Sequence, residues 1–136
     1  MEKLIIKVEW CNNNYSGSYA SDEIGVVASV GDTLEEFKRE FAEAIDFHID
    51  CMLEDGDDMP EWARNKDYEI MYELQASATL RQAKQYTTMA AVSRVSGINQ
   101  QQLEHYASLR KRPRQPQQEK IKQALRKISE NILALC

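Results

Sequence analysis

Cysteine is scarce in this chain, long apolar runs are absent, and the first half carries little positive charge. Cys11, Cys51 and Cys136 are odd in number, far apart, and form no CxxC. His48, three residues before Cys51, would complete only half a zinc site, so no metal is expected. Unpaired thiols fit a reducing cytosol better than a disulfide framework. No stretch reaches membrane-spanning length and the N-terminus has no apolar h-region, which predicts a cytoplasmic chain without a membrane partner. There is no internal repeat, no low-complexity tract and no motif that calls for a cofactor. A chain of 136 residues has room for one domain with a real core or for two small ones. The scarcity of cations is local. Residues 1–79 carry 6 Lys/Arg against 19 Asp/Glu, a net −13, whereas residues 80–136 carry 11 against 3, a net +8. So steep a polarity predicts two modules with two different partners.

The basic half centres on Thr88 to Pro113. Thr88 is placed to cap a short helix, and Ala90, Ala91, Val92 and Val95 make that helix small and apolar enough to pack closely. Gly97 falls where a corner needs positive φ. Asn99 is a second N-cap, after which Leu103 and Tyr106 share one side of a helix while Gln100, Gln101, Glu104 and His105 point outward. Arg110, Lys111, Arg112 and Arg114 follow in a loop too basic for casual solvent contact. Ser77 is expected to cap an earlier helix carrying Leu80, Ala83 and Tyr86. Gln115 to Leu135 is read as the last helix, with an Ile121, Leu125, Ile128, Ile132, Leu135 stripe whose far end is free to join two copies.

This run resembles the repressor-type helix-turn-helix of phage repressors and their bacterial relatives. By that resemblance Gln100 and Gln101 read base edges, since a carboxamide donates and accepts bidentately, with His105 one turn later. Thr88 and Asn99 at the helix starts, and Arg110, Lys111, Arg112 and Arg114, are the expected contacts to the DNA backbone. One such unit buries too little DNA surface for tight specific binding, so at least a homodimer is expected, held by a sheet edge of the first module, by the last helix, or by both.

In the acidic half, Lys3–Trp10, Tyr15–Ala20 and Ile24–Val30 read as strands of an antiparallel meander, with Asn12–Asn14 and Ser21–Glu23 as turns. Thr33-Leu-Glu-Glu36 is a capping box opening a long helix to about Leu53. Its apolar stripe runs Leu34, Phe37, Phe41, Ala44, Ile45, His48, Ile49, Met52, which makes His48 a hydrogen-bonded core histidine; Phe47 points off the stripe as a candidate contact. Glu54-Asp-Gly-Asp-Asp58 lacks the ligand spacing of a calcium loop and reads as a solvated acidic loop. That loop continues through Met59–Trp62, with Trp62 tucked onto the sheet, before a strand at Tyr68–Leu74. The predicted class is α+β: a β-β-β-α-β domain over residues 1–76, then an all-α helix-turn-helix domain over residues 77–136.

Order and spacing along nearly the whole chain resemble the HicB antitoxin family. The resemblance rests on Leu4–Trp10, the helix start Gly31–Lys38, Ile45–Gly56 ending Glu-Asp-Gly, and the Ser93–Ile98 corner. It implies a partial ribonuclease-H fold without its active site, which binds a small basic RNA-cleaving toxin of the HicA kind, and a second domain that represses the operon on double-stranded DNA. The acidic Glu54, Asp55, Asp57 and Asp58 would steer such a toxin, with Phe47 and Trp62 as apolar anchors. No catalytic residue is expected: Glu9 lies on the first strand, while Glu35, Glu36, Glu40, Glu43, Asp46 and Asp50 lie mainly on the solvent side of the long helix. A stand-alone repressor with a small-molecule-sensing first domain is the alternative.

Overall fold

A computed structural model describes residues 1–136. It is α+β, with a mixed four-stranded sheet and six helices in the order β1 (Glu2–Cys11), β2 (Asn14–Ser21), β3 (Gly25–Gly31), α1 (Leu34–Asp55), α2 (Glu61–Arg64), β4 (Tyr68–Leu74), α3 (Ala76–Ala83), α4 (Met89–Ser96), α5 (Gln100–Ala107) and α6 (Gln115–Leu133). Two compact units result: Met1–Glu9 with Asn13–Leu74, and Trp10–Asn12 with Gln75–Cys136. No helix is long and apolar enough to cross a membrane.

In the first unit the strand order is β3-β2-β1-β4. Asn12 and Asn13, both at positive φ (52° and 67°), reverse the chain from β1 into β2; asparagine tolerates this conformation better than other residues with a Cβ. β2 and β3 are antiparallel, with Tyr15 opposite Gly31 and Tyr19 opposite Val27. β4 returns parallel to β1, setting Leu4 beside Ile70, Ile6 beside Tyr72 and Val8 beside Leu74. Period-two alternation puts these residues on one face of the sheet, and α1 covers that face with Phe37, Phe41, Ile45 and Ile49, all fully buried. Tyr72 meets both phenylalanine rings edge-on at 6.0 and 6.4 Å and donates its hydroxyl to the Lys38 carbonyl. The other face is open: Ile5, Val26, Val30 and Met71 are exposed on it.

Thr33 caps α1 by accepting the Glu36 N–H at 3.0 Å, but only this half of the capping box forms, as the Glu36 carboxylate accepts no bond in return. The helix runs on to Asp55 and stops at Gly56, whose left-handed conformation lets the Gly56 and Asp57 N–H groups reach the Leu53 and Met52 carbonyls. Glu54 and Asp55 are therefore the last turn of a helix, and the acidic loop starts later than its composition suggests. Trp62 is likewise not in a loop: Pro60 leads into α2, which holds the half-buried Trp62 edge-on against Tyr68 at 6.1 Å. His48 donates from Nε2 to the Ile24 carbonyl, the structural role its place on the stripe implies.

The second unit closes around Leu80, Met89, Val92, Ile98, Leu103, Tyr106, Ala107, Ile121 and Ala124. Two expectations fail here. Ser77 is not a cap: α3 begins at Ala76 after Gln75, and Ser77, buried, accepts the Trp10 N–H on its Oγ at 2.9 Å. Tyr86 lies beyond the end of α3 and is 80% exposed, so it contributes nothing to the core. Beside Ser77, the Arg81 guanidinium stacks 4.4 Å from the centre of the Trp10 ring.

Candidate functional site

The corner formed by α4 and α5 is built as its residue types require. Thr88 Oγ1 accepts the Ala91 N–H at 3.1 Å and starts α4. Gly97, at φ +78°, ends it by returning its N–H to the Ser93 carbonyl; a side chain there would be strained by the backbone alone. Ser93 donates its hydroxyl to the Ile98 carbonyl at 2.6 Å, which ties the two sides of the corner. Asn99 Oδ1 accepts the Gln101 N–H at 2.8 Å and opens α5. Leu103 and Tyr106 are buried under that helix, leaving its opposite arc to solvent.

On the exposed arc, Gln100 and Gln101 occupy the first turn with their carboxamides free of internal bonds. The third glutamine behaves differently: Gln102 turns inward and donates to the Tyr106 hydroxyl at 2.9 Å. His105 is half-buried rather than fully outward, and its Nδ1 is enclosed without a hydrogen-bond partner. Its carbonyl accepts both the Arg110 and Lys111 N–H groups, which folds the basic loop back over the end of α5, with Leu109 in the left-handed region at φ 63°. Arg110, Lys111, Arg112 and Arg114 are all exposed around that turn. Thr88 and Asn99 are exposed at their helix starts, their side-chain oxygens already engaged as caps.

One neighbour of this surface has no signal in local sequence. Lys84, just past α3, reaches Glu104 at 3.3 Å and offsets the one carboxylate on the exposed arc of α5. That pair depends on how α3 and α5 come together, which residue spacing does not specify.

The acidic candidates belong to the first unit. Glu54, Asp55, Asp57 and Asp58 are exposed around the end of α1, where no basic residue in the last turn offsets them. Phe47, on the outer side of α1, is 69% exposed and has no ring partner, while Trp62 is half-covered by its contact with Tyr68. Asp46 and Asp50, one turn apart on α1, converge on Lys66 Nζ at 2.8 and 2.7 Å. These two carboxylates raise the Lys66 pKa well above the ordinary lysine range, through hydrogen bonds first and charge second. No group of three or more His, Cys, Asp or Glu side chains stands close enough together to hold a metal ion.

The second unit also carries two surface grooves. A polar one of about 650 Å³ lies between Val95–Ser96 and the Glu119–Glu130 face of α6; an apolar one of about 370 Å³ lies between Ala83–Thr87 and the Leu125–Ile132 face. The stripe runs into solvent at the far end of the second groove, with Ile132 51% exposed and Leu135, past the end of α6, 86% exposed. Compared with known proteins, the chain matches no family model, no curated protein and no solved structure.

Proposed function

We propose that the chain is the antitoxin of a type II toxin–antitoxin pair, a HicB-like protein whose first domain (residues 1–76) neutralises a basic RNA-cleaving toxin and whose helix-turn-helix domain (residues 77–136) represses its own operon. The observation that carries the DNA half is the presentation of Gln100 and Gln101. Both are exposed in the first turn of a capped helix, on the arc opposite its buried residues, with four cationic side chains in the loop that follows. A helix start offers unbonded N–H groups to a phosphate, and free carboxamides there meet the donor–acceptor pattern of adenine in the major groove. The pairing of Glu104 with Lys84 removes a charge that would otherwise oppose the duplex. On this reading Gln100 and Gln101 contact bases, with the half-buried His105 one turn later. Thr88, Asn99, Arg110, Lys111, Arg112 and Arg114 contact the backbone, and at least two copies bind paired half-sites about 34 Å apart or a multiple of that.

The toxin half is carried by charge. A protein that cleaves RNA must present cations to phosphates, and the acidic end of α1 is an anionic counterpart to such a surface. Phe47 and Trp62 are the apolar side chains that would anchor the complex once it is steered. The test is co-expression with the adjacent reading frame. Co-purification of a basic protein whose RNA cleavage is blocked supports the reading; a folded chain that neither binds nor inhibits that product removes it. For the DNA half, footprinting of Gln100→Ala/Gln101→Ala on the chain's own promoter should lose sequence preference. A footprint unchanged in preference would remove the recognition-helix assignment.

A further inference from the structure

We infer that β3 is a self-pairing edge, through which two copies of the chain join their sheets antiparallel about a two-fold axis at Ala28. The strand reads Gly25-Val-Val-Ala-Ser-Val-Gly31 and stands at one end of the sheet with β2 as its single strand neighbour. It holds no charged residue and no proline, the usual means by which an edge is kept from pairing with another chain. Val26, Ala28 and Val30 project on the open face of the sheet, Val26 66% and Val30 57% exposed.

The sequence is close to a palindrome about Ala28. A two-fold axis there sets Gly25 opposite the copy's Gly31, Val26 opposite Val30, Val27 opposite Ser29 and Ala28 opposite Ala28. Apolar side chains then meet apolar side chains twice over on the open face, as a self-complementary interface requires. The other edge of the same sheet gives the opposite result. A two-fold axis through Met71 of β4 would set Glu69 opposite Glu73 twice, and like charges directly opposite destabilise a pair. One edge is guarded against a copy and the other is shaped for one. A second copy also fits better than a foreign cationic protein. Such a partner is drawn to the carboxylates of this module, and β3 has none. With the axis normal to the sheet, the paired sheets are continuous and both α1 helices lie on the same side.

This pairing supplies the two-fold assembly that operator binding calls for, but its test needs no DNA, so the two ideas fail separately. Sedimentation equilibrium of the full chain over a concentration series is the measurement. The wild type should show at least twice the 15.7 kDa chain mass. V26K/V30K sets cations opposite cations and should halve the wild-type mass. V26K/V30E sets each new cation opposite a new anion across the axis and should restore it. A monomeric wild type, a V26K/V30K mass equal to wild type, or a V26K/V30E mass no larger than that of V26K/V30K would each overturn the inference. Should either variant fail to fold, amide exchange on the wild type decides. Protection of Val26 to Val30 should rise with protein concentration, and protection independent of concentration would overturn the proposal.

Discussion

Among the glycines, Gly31 is the one with least room for a side chain. It is buried where β3 hands over to α1, and a Cβ added there would run into the Phe37 backbone, 2.7 Å from its Cα and closer still to its N. That obstacle is main chain at a helix start, so no rotamer change relieves it. Gly31→Ala should therefore cost about 3 kcal/mol of stability, at the upper end for overpacking, read by thermal or denaturant unfolding. A loss below about 1 kcal/mol would mean that the first turn of α1 shifts more freely than its Thr33 cap suggests. Ser77 sets a second single-residue constraint. Its Oγ is the acceptor for the Trp10 N–H inside the second unit, so Ser77→Ala strands a partly buried donor and should cost about 1–3 kcal/mol. Gln100→Ala and Gln101→Ala lie at the other extreme. Both side chains are exposed and free of internal bonds, so stability should hardly move. On the proposed reading, each should lose ~1–3 kcal/mol of discrimination at one base pair, measured by competition with altered operators.

Lys66 joins elements rather than filling a core. Sitting between α2 and β4 at φ 53°, it brings its ammonium onto Asp46 and Asp50 of α1. Its pKa is raised in the folded chain, so the stabilisation is fully present below the unfolded lysine value of about 10.4 and is lost as pH climbs past that value. The melting-temperature gap between wild type and Lys66→Gln should then be flat from neutral pH to about pH 10 and shrink above it. Burial raises the Tyr72 pKa in both proteins alike, so Tyr72 cancels in the difference, whereas Tyr68, raised by burial, is held down by the Lys66 charge in the wild type only; the comparison is therefore made in a Tyr68→Phe background. A gap that widens with alkali would contradict the assignment. Lys66 also marks what was legible in the sequence. Periodicity located the four strands, the stripe of α1 and the caps Thr33, Thr88 and Asn99, because each is a local preference of the residues that form it. It missed α2, the inward turn of Gln102, and the pairs Lys66–Asp46/Asp50, Lys84–Glu104 and Arg81–Trp10, because those depend on which elements become neighbours. Ser77 failed for the same reason: a serine before a helical run looks like a cap until a distant N–H claims it.

Over the whole molecule the excess of each sign of charge falls in a different half of the chain, and the end of α1 shows that this separation has a cost. Glu54 and Asp55 sit in the last turn of a 22-residue helix, with Asp57 and Asp58 just beyond and no basic residue in that turn. The carbonyl end of a helix already carries partial negative charge, so each carboxylate there is unfavourable by roughly 0.3–1 kcal/mol at low salt. A sequence optimised for stability alone would place lysine or arginine here. On the antitoxin reading, the acids are kept because they draw in a cationic partner. Glu54→Gln/Asp55→Asn/Asp57→Asn/Asp58→Asn should consequently do two opposite things. The chain should unfold at a higher temperature, by an amount that diminishes as salt is added. Association with the neighbouring basic protein should slow about 10-fold or more at low ionic strength, with little change in dissociation, because steering acts on encounter rather than on the anchored complex. Operator binding, which the same proposal assigns to the other unit, should keep its affinity. Stopped-flow association and a melt in parallel test both arms on one protein. A variant that is stabilised yet associates at the wild-type rate would show that the acidic end is not where the toxin is steered. A variant that is not stabilised would show that the charges at the end of α1 are offset by something other than a partner.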